Sequence, residues 1–219
     1  MPSLPRTGKR ARTHQRILEE AIRLFRKDGV RATRLSRVAT ESDVSPATLF
    51  NHFPTKGTLA EVWVRGEVLD VLGQTIEATV SEGRSLRSAL RVASRELAER
   101  SCEEPEIRLE AWCEAGRASS FAIDEDPRLT LGLEEEQKRE HVRGDLEARV
   151  LASMLVDAIE GGLIEGLRRL AESASIPAGS SSAEEQTKVL AAAIRDRLDL
   201  VLDGTRKRNE RVRPPTRSA

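Results

Sequence analysis

The stretch LSRVATESDVSPATLFNHFPTK, Leu35–Lys56, decides how this 219-residue chain folds. Leu35, Val38 and Ala39 fall on one face of a short amphipathic helix. Asp43 then interrupts the pattern with a side chain that tolerates the positive φ of a tight turn. Ser45 reads as an N-cap, and Pro46 opens a further helix at a position where its missing N–H costs nothing. Leu49 and Phe53, four apart, face inward, and Pro54 ends the helix. Pro46, Ala47, Thr48, Phe50, Asn51 and His52 are left on or near the outer face.

Upstream, Ile17, Ala21, Leu24 and Phe25 form the inner stripe of a first helix, with Gly29 as its C-cap. Thr33 is expected to cap the second helix. Downstream, a fourth helix is expected from about Thr55 or Lys56, burying Leu59, Val62 and Trp63. Ala, Leu, Glu and Arg dominate the rest, and period-two runs of β-branched residues are lacking, so the fold class is all-α. Helices are expected over 58–80, 84–101, 105–120, 127–142, 145–172 and 184–203, with a surface loop over 173–185. The organisation predicted is a basic flexible arm (1–12), a helix-turn-helix domain (13–60), a C-terminal helical domain (61–203) and a disordered basic tail (204–219).

The totals narrow the function. No apolar run approaches the roughly 20 residues of a bilayer span, and MPSLPRTGKRART lacks the apolar stretch of a signal peptide, so a cytoplasmic location is expected. Cys102 and Cys113 are too few for a disulfide framework. His14, His52 and His141 are scattered, no nucleophile–base or metal-ligand spacing stands out, and neither an enzyme nor a metal or other cofactor is expected. The acidic runs CEEPE, DED and LEEEQ read as solvated helix termini rather than a cation site. The net charge of zero conceals an asymmetry. Residues 1–60 hold 12 Lys or Arg against 5 Asp or Glu, a net of +7, and the remainder, with 24 against 31, carries −7. The first sixty residues therefore suit a polyanion, the alternative being a merely solvated basic face.

Two short helices around a three-residue turn, braced by a longer one, make a helix-turn-helix. A major groove about 12 Å wide admits one helix, N-terminal residues foremost. Pro46 and Ala47 let the backbone approach and suit thymine methyls, Thr48 and His52 suit phosphate oxygens, and Asn51 suits either a base edge or a phosphate. Lys56 and Thr33 sit at helix N-termini, where phosphate is favoured.

The segment ILEEAIRLFRKDGVRATRLSRVATESDVSPATLFNHFPTKGTLAEV, residues 17–62, resembles the DNA-binding domain of the TetR/AcrR family of bacterial transcriptional regulators. The resemblance implies a homodimer with an N-terminal reading head and a C-terminal helical domain that binds a small effector and dimerises. Carried over position by position, it assigns phosphate contact to Thr33, recognition-helix contacts to Ser45, Pro46, Ala47, Thr48, Phe50, Asn51 and His52, and a fourth-helix contact to Lys56; Arg34, beside Thr33, is also expected to contact DNA. Three positions depart from the family pattern: Phe50 replaces a tyrosine, Asp43 a turn glycine and Ser36 a frequent arginine. The arm residues Arg6, Lys9, Arg10 and Arg12 either enter a minor groove or add only diffuse charge.

A single helix in one groove is too weak for a genomic search, so two copies reading an inverted repeat in double-stranded DNA are expected. In RVLASMLVDAIEGGLIEGLRRLA, Leu151, Leu155 and Ala158 lie on a broad apolar stripe, with Gly162 and Gly166 allowing close approach. Ile194 and Leu198 continue this character in the last helix, and these residues are expected to form the homodimer interface, an intramolecular core being the alternative. Trp112, Cys113, Phe121, His141 and Met154 are expected to line a pocket for a small apolar effector, with ordinary core as the other reading. The function expected is a palindrome-binding repressor released by that effector, or else a helix-turn-helix regulator without one, controlled by a protein partner or its own abundance.

Overall fold

The computed structural model describes residues 8–116, 127–174 and 182–205, and every regular element among them is an α-helix. The order is α1 (Lys9–Asp28), α2 (Leu35–Glu41), α3 (Pro46–His52), α4 (Lys56–Ser81), α5 (Leu86–Cys102), α6 (Pro105–Ala115), α7 (Pro127–Lys138), α8 (Ala148–Ala174) and α9 (Ala183–Thr205). No helix of the described residues is long and apolar enough to cross a membrane.

The head is α1 to α3 with the start of α4. Ile17, Leu24 and Phe25 from α1 meet Val38, Leu49, Phe53 and Leu59 in a core closed to water. Trp63 of α4 stacks on Phe25 with ring centroids 6.0 Å apart. Gly29 ends α1 at φ 87°, a backbone state glycine holds without a Cβ penalty, and its N–H donates to the Phe25 carbonyl at 2.9 Å. Asp43 makes the turn before α3 at φ 49°, as its residue type implied. The arm is shorter than expected. Lys9, Arg10 and Arg12 already belong to α1, which starts after the Gly8 N-cap, whereas Arg6 lies outside the described residues.

The body is α4 to α9. The expected boundary at residue 60 falls inside α4, so one continuous helix serves both parts. α7 stops at Lys138 rather than 142 because Glu140 takes a left-handed φ of 60° and the His141 and Val142 N–H groups turn back to the Glu136 carbonyl at 3.0 and 3.4 Å. α9 continues to Thr205, two residues into the expected tail; residues 206–219 are outside the described set.

α8 and α9 lie antiparallel. A Cβ built on Gly162 would stand 2.5 Å from the Ile194 Cα, and one on Gly166 would stand 2.9 Å from Leu190 Cδ1. This corrects the expected dimer surface. Leu151, Leu155, Ala158, Gly162, Gly166, Ile194 and Leu198 are all buried within the single chain. The small residues admit the chain's own α9, and the stripe is wide because α4 to α7 cover its flanks. Exposed apolar side chains on this helix pair are Val150, Met154 and Leu200, the last 77% exposed.

Candidate nucleic-acid interface

α3 has only seven residues, too few to stand alone, so its ends are tied down. The Ser45 hydroxyl accepts the Thr48 N–H at 3.1 Å and lies 2.9 Å from the Thr48 hydroxyl, so both side chains build the cap. Leu49 and Phe53 anchor the inner face. Pro46, Ala47 and Asn51 are exposed, and Phe50 is 48% exposed, an apolar ring left in water on the outer face. His52 is half-buried. Its ring lies 5.7 Å from that of His14, which stacks on Phe53 at 4.3 Å. Burial, then the Arg10 charge, holds His52 below its ordinary value; burial, His52 and Arg10 do the same to His14.

Two of the expected phosphate contacts are placed differently. Thr33 is 4% exposed, and its hydroxyl donates to the Gly29 carbonyl at 2.8 Å. It locks the α1–α2 turn and does not cap α2. The N-cap is Arg34, extended at φ −98° and exposed, with no cap hydrogen bond from its side chain. Lys56 folds back on the same turn, its ammonium donating to the carbonyls of Arg31 at 2.9 Å and Thr33 at 3.4 Å. An ammonium has three donors, so one remains for an anion.

The turn is also held from the body. A Glu110 carboxylate oxygen on α6 accepts the N–H groups of Val30 at 3.0 Å and Arg31 at 3.3 Å. Arg26 of α1 pairs with Glu104 at the start of α6, Nε to Oε2 at 2.8 Å. Sequence reasoning missed both acids, because a glutamate on a short helix carries no signal of an acceptor needed 80 residues away. It also read LEEEQ as solvated, whereas Glu136 is buried and meets Arg139 and His141.

The five residues expected to line one pocket do not converge. Trp112 borders an open cleft of ~260 Å3 between α4, α6 and α8, with Glu61, Arg65, Glu160 and Ile164. His141 borders a separate cleft of ~290 Å3 with Arg87, Glu136 and Leu202. Cys113 and Met154 are exposed, and Phe121 lies outside the described residues. In the first cleft the Glu160 carboxyl is raised to about 7, mainly by burial, with Asp157 and Glu61 adding repulsion and Arg65 opposing it.

Comparison with known proteins agrees with this geometry. Residues 17–62 match the family model described as bacterial regulatory proteins, tetR family. A 64-residue stretch is 38% identical to the uncharacterized HTH-type transcriptional regulator YvkB of Bacillus subtilis (strain 168), covering 26% of this chain and 34% of that protein. The chain thus spans about a third of the length of this curated relative. Among solved structures, the fold is similar to Thermus thermophilus FadR, a tetR-family transcriptional repressor in complex with lauroyl-CoA. The TM-score is 0.67 at 21% identity, over 89% of this chain and 96% of that one. It is also similar to RolR in complex with resorcinol, with a TM-score of 0.51 at 15% identity, over 89% and 93%.

Proposed function

We propose that this chain, with a tetR-family reading head at residues 17–62, is a transcriptional repressor that binds an inverted-repeat operator as a homodimer and is released by a small effector. The observation that carries the reading is α3 itself: a capped, anchored, seven-residue helix whose outer face offers small, apolar and hydrogen-bonding side chains and no acid. Arg34, Asn51, His52 and the remaining donor of Lys56 position it on phosphates, while Pro46, Ala47 and Phe50 meet base edges and sugars. With Phe50 where a hydroxyl is usual, contact there is apolar.

Dimerisation is assigned to the outer faces of α8 and α9, where Met154 and Leu200 stand exposed near one end of the antiparallel pair. Release by an effector is supported by the open cleft beside α6 and by the Glu110 link from that helix to the α1–α2 turn. A change in α6 that moves Glu110 alters the head directly. Coupling of about 1–3 kcal/mol corresponds to a 5- to 150-fold loss of operator affinity.

Selection of bound duplexes from random sequence, followed by fluorescence anisotropy over a salt series, tests the reading. The expected product is an inverted repeat with half-sites about one helical turn apart, bound by an even number of subunits. Several phosphate contacts per half-site are expected in the salt slope. A protein that stays monomeric and retains no duplex at low ionic strength would sink it.

A further inference from the structure

We infer that the cleft between α4, α6 and α8 takes an organic cation: a small molecule with a flat apolar body and an ammonium group that docks on Glu61 and Glu160. This rests on the effector-responsive reading above and names the ligand class.

Glu61 is 8% exposed and borders the cleft, and its Oε2 atom is fully buried without a hydrogen-bond partner among the described residues. Its other oxygen lies 3.8 Å from Arg65 Nη1, beyond hydrogen-bond reach. Glu160 Oε1 is 3.0 Å from Arg65 Nε, but the pair is misaligned, so this buried oxygen also lacks a hydrogen bond. Asp157, largely exposed, stands 4.0 Å from the same guanidinium. Three carboxylates therefore surround one guanidinium, and α6 adds no charge to the lining, only Trp112, Ala115 and Gly116.

Buried acceptors are almost always satisfied, so the unpaired Glu61 Oε2, beside a Glu160 oxygen held by the Arg65 ion pair alone, marks a place for donors that arrive with a ligand. An anion meets a surplus of negative charge. A purely apolar body leaves the Glu61 oxygen unpaired. A cation supplies N–H donors and charge together, and the Trp112 ring with Ile164 offers the wall for its apolar part. This departs from the apolar effector expected from the sequence, because Glu61 and Glu160 lie far apart in the chain and only the fold brings them to one cleft. Protonation of Glu160 removes one of the two anchors, so cation affinity rises as pH is raised through about 7. The charged groups facing Glu160 are Arg65 and Glu61 from α4 and Asp157 from its own helix.

The test is isothermal titration of the full chain with three indoles of one shape: tryptamine, a cation; tryptophol, a neutral donor; and indole-3-acetate, an anion. Benzyltrimethylammonium is added as a cation lacking N–H. Tryptamine is expected to bind at least about tenfold more tightly than tryptophol, with indole-3-acetate weakest. Glu61→Gln should cost tryptamine about tenfold and leave tryptophol unchanged, with an unaltered melting temperature showing that the fold persists. Glu160→Gln should abolish the rise in affinity between pH 6 and 8. Equal binding of the three indoles, binding of neither cation, or indifference of tryptamine to both substitutions overturns the inference. Operator affinity, followed separately, tells the two proposals apart. Tryptamine binding without operator release leaves the cation site standing and defeats the release mechanism, whereas release by lauroyl-CoA in a chain that ignores both cations does the reverse.

Discussion

Thr33 and Lys56 meet on one turn of backbone, and substitution separates their roles. Thr33→Val keeps the shape and removes the hydroxyl given to the Gly29 carbonyl. The expected cost is about 1 kcal/mol of stability with no change in the salt slope of DNA binding. A slope that falls instead would return Thr33 to the phosphate contacts that the sequence assigned to it. Lys56→Met removes two donations to backbone carbonyls and one charge. It should weaken binding to every duplex alike and reduce the salt slope by about 1 per subunit, measured by anisotropy from low to moderate salt. Glu160 gives a pH signature. Its carboxyl titrates near 7 in the folded chain against an ordinary 4.5, so folding takes up a proton between these values and stability falls as pH rises through them. The full shift is worth on the order of 3 kcal/mol. Glu160→Gln should therefore gain roughly 1–3 kcal/mol in denaturant melts at pH 8 and almost nothing at pH 4.5. The lowered values of His14 and His52 contribute the opposite slope, stability being lost as pH falls below 6.5. Comparing variant with parent at each pH cancels that contribution.

At the scale of elements, what was legible in the sequence was local. Ser45 and Pro46 define the start of α3, Asp43 the turn and Gly29 the stop of α1, because each acts on its own backbone within four residues. The apolar stripes of α8 and α9 were legible too, but not their partners. Gly162 and Ile194 announce close helix packing, yet spacing alone does not say whether the neighbouring helix belongs to the same chain. The structure pairs them within one chain, and this yields a contrast. Gly162→Leu drives a side chain into the α9 backbone, where the first added carbon already stands 2.5 Å from Ile194 Cα. Overpacking against backbone should cost 3 kcal/mol or roughly more and spoil the cooperative melt. Leu200→Glu, by contrast, changes an exposed side chain, so the helical signal and melting temperature should persist while light scattering reports monomers. A folded monomer from Gly162→Leu would move the interface back to the buried stripe.

Across the whole molecule, head and body meet through a long shared helix and a few polar ties, and those ties decide whether they behave as one unit. α4 continues from the head core at Leu59 into the body at Leu72 and Ile76, so hydrophobic contact is unbroken along it. The α1–α2 turn is anchored in that core by Val30, and its backbone polar groups are held by side chains from outside it. Lys56 holds its carbonyls from α4, and Glu110 holds its N–H groups from α6. A turn gripped on both polar sides cannot follow a displaced α6 without losing bonds on one of them. Nothing in the sequence exposes this, since each tie joins residues far apart in the chain by a single side chain. Glu110→Ala removes the acceptor for two N–H groups while the core residues stay in place. Hydrogen bonds to a charged acceptor are worth about 1.5–3 kcal/mol, so amide exchange at Val30 and Arg31 should quicken by roughly tenfold or more. The melt should split, the head unfolding before the body, and any effector that releases DNA from the parent should lose most of its leverage in the variant, its coupling falling towards zero from about 1–3 kcal/mol. Unchanged exchange at those two amides, a single melt and full effector response together would place the communication between the two parts in α4 alone.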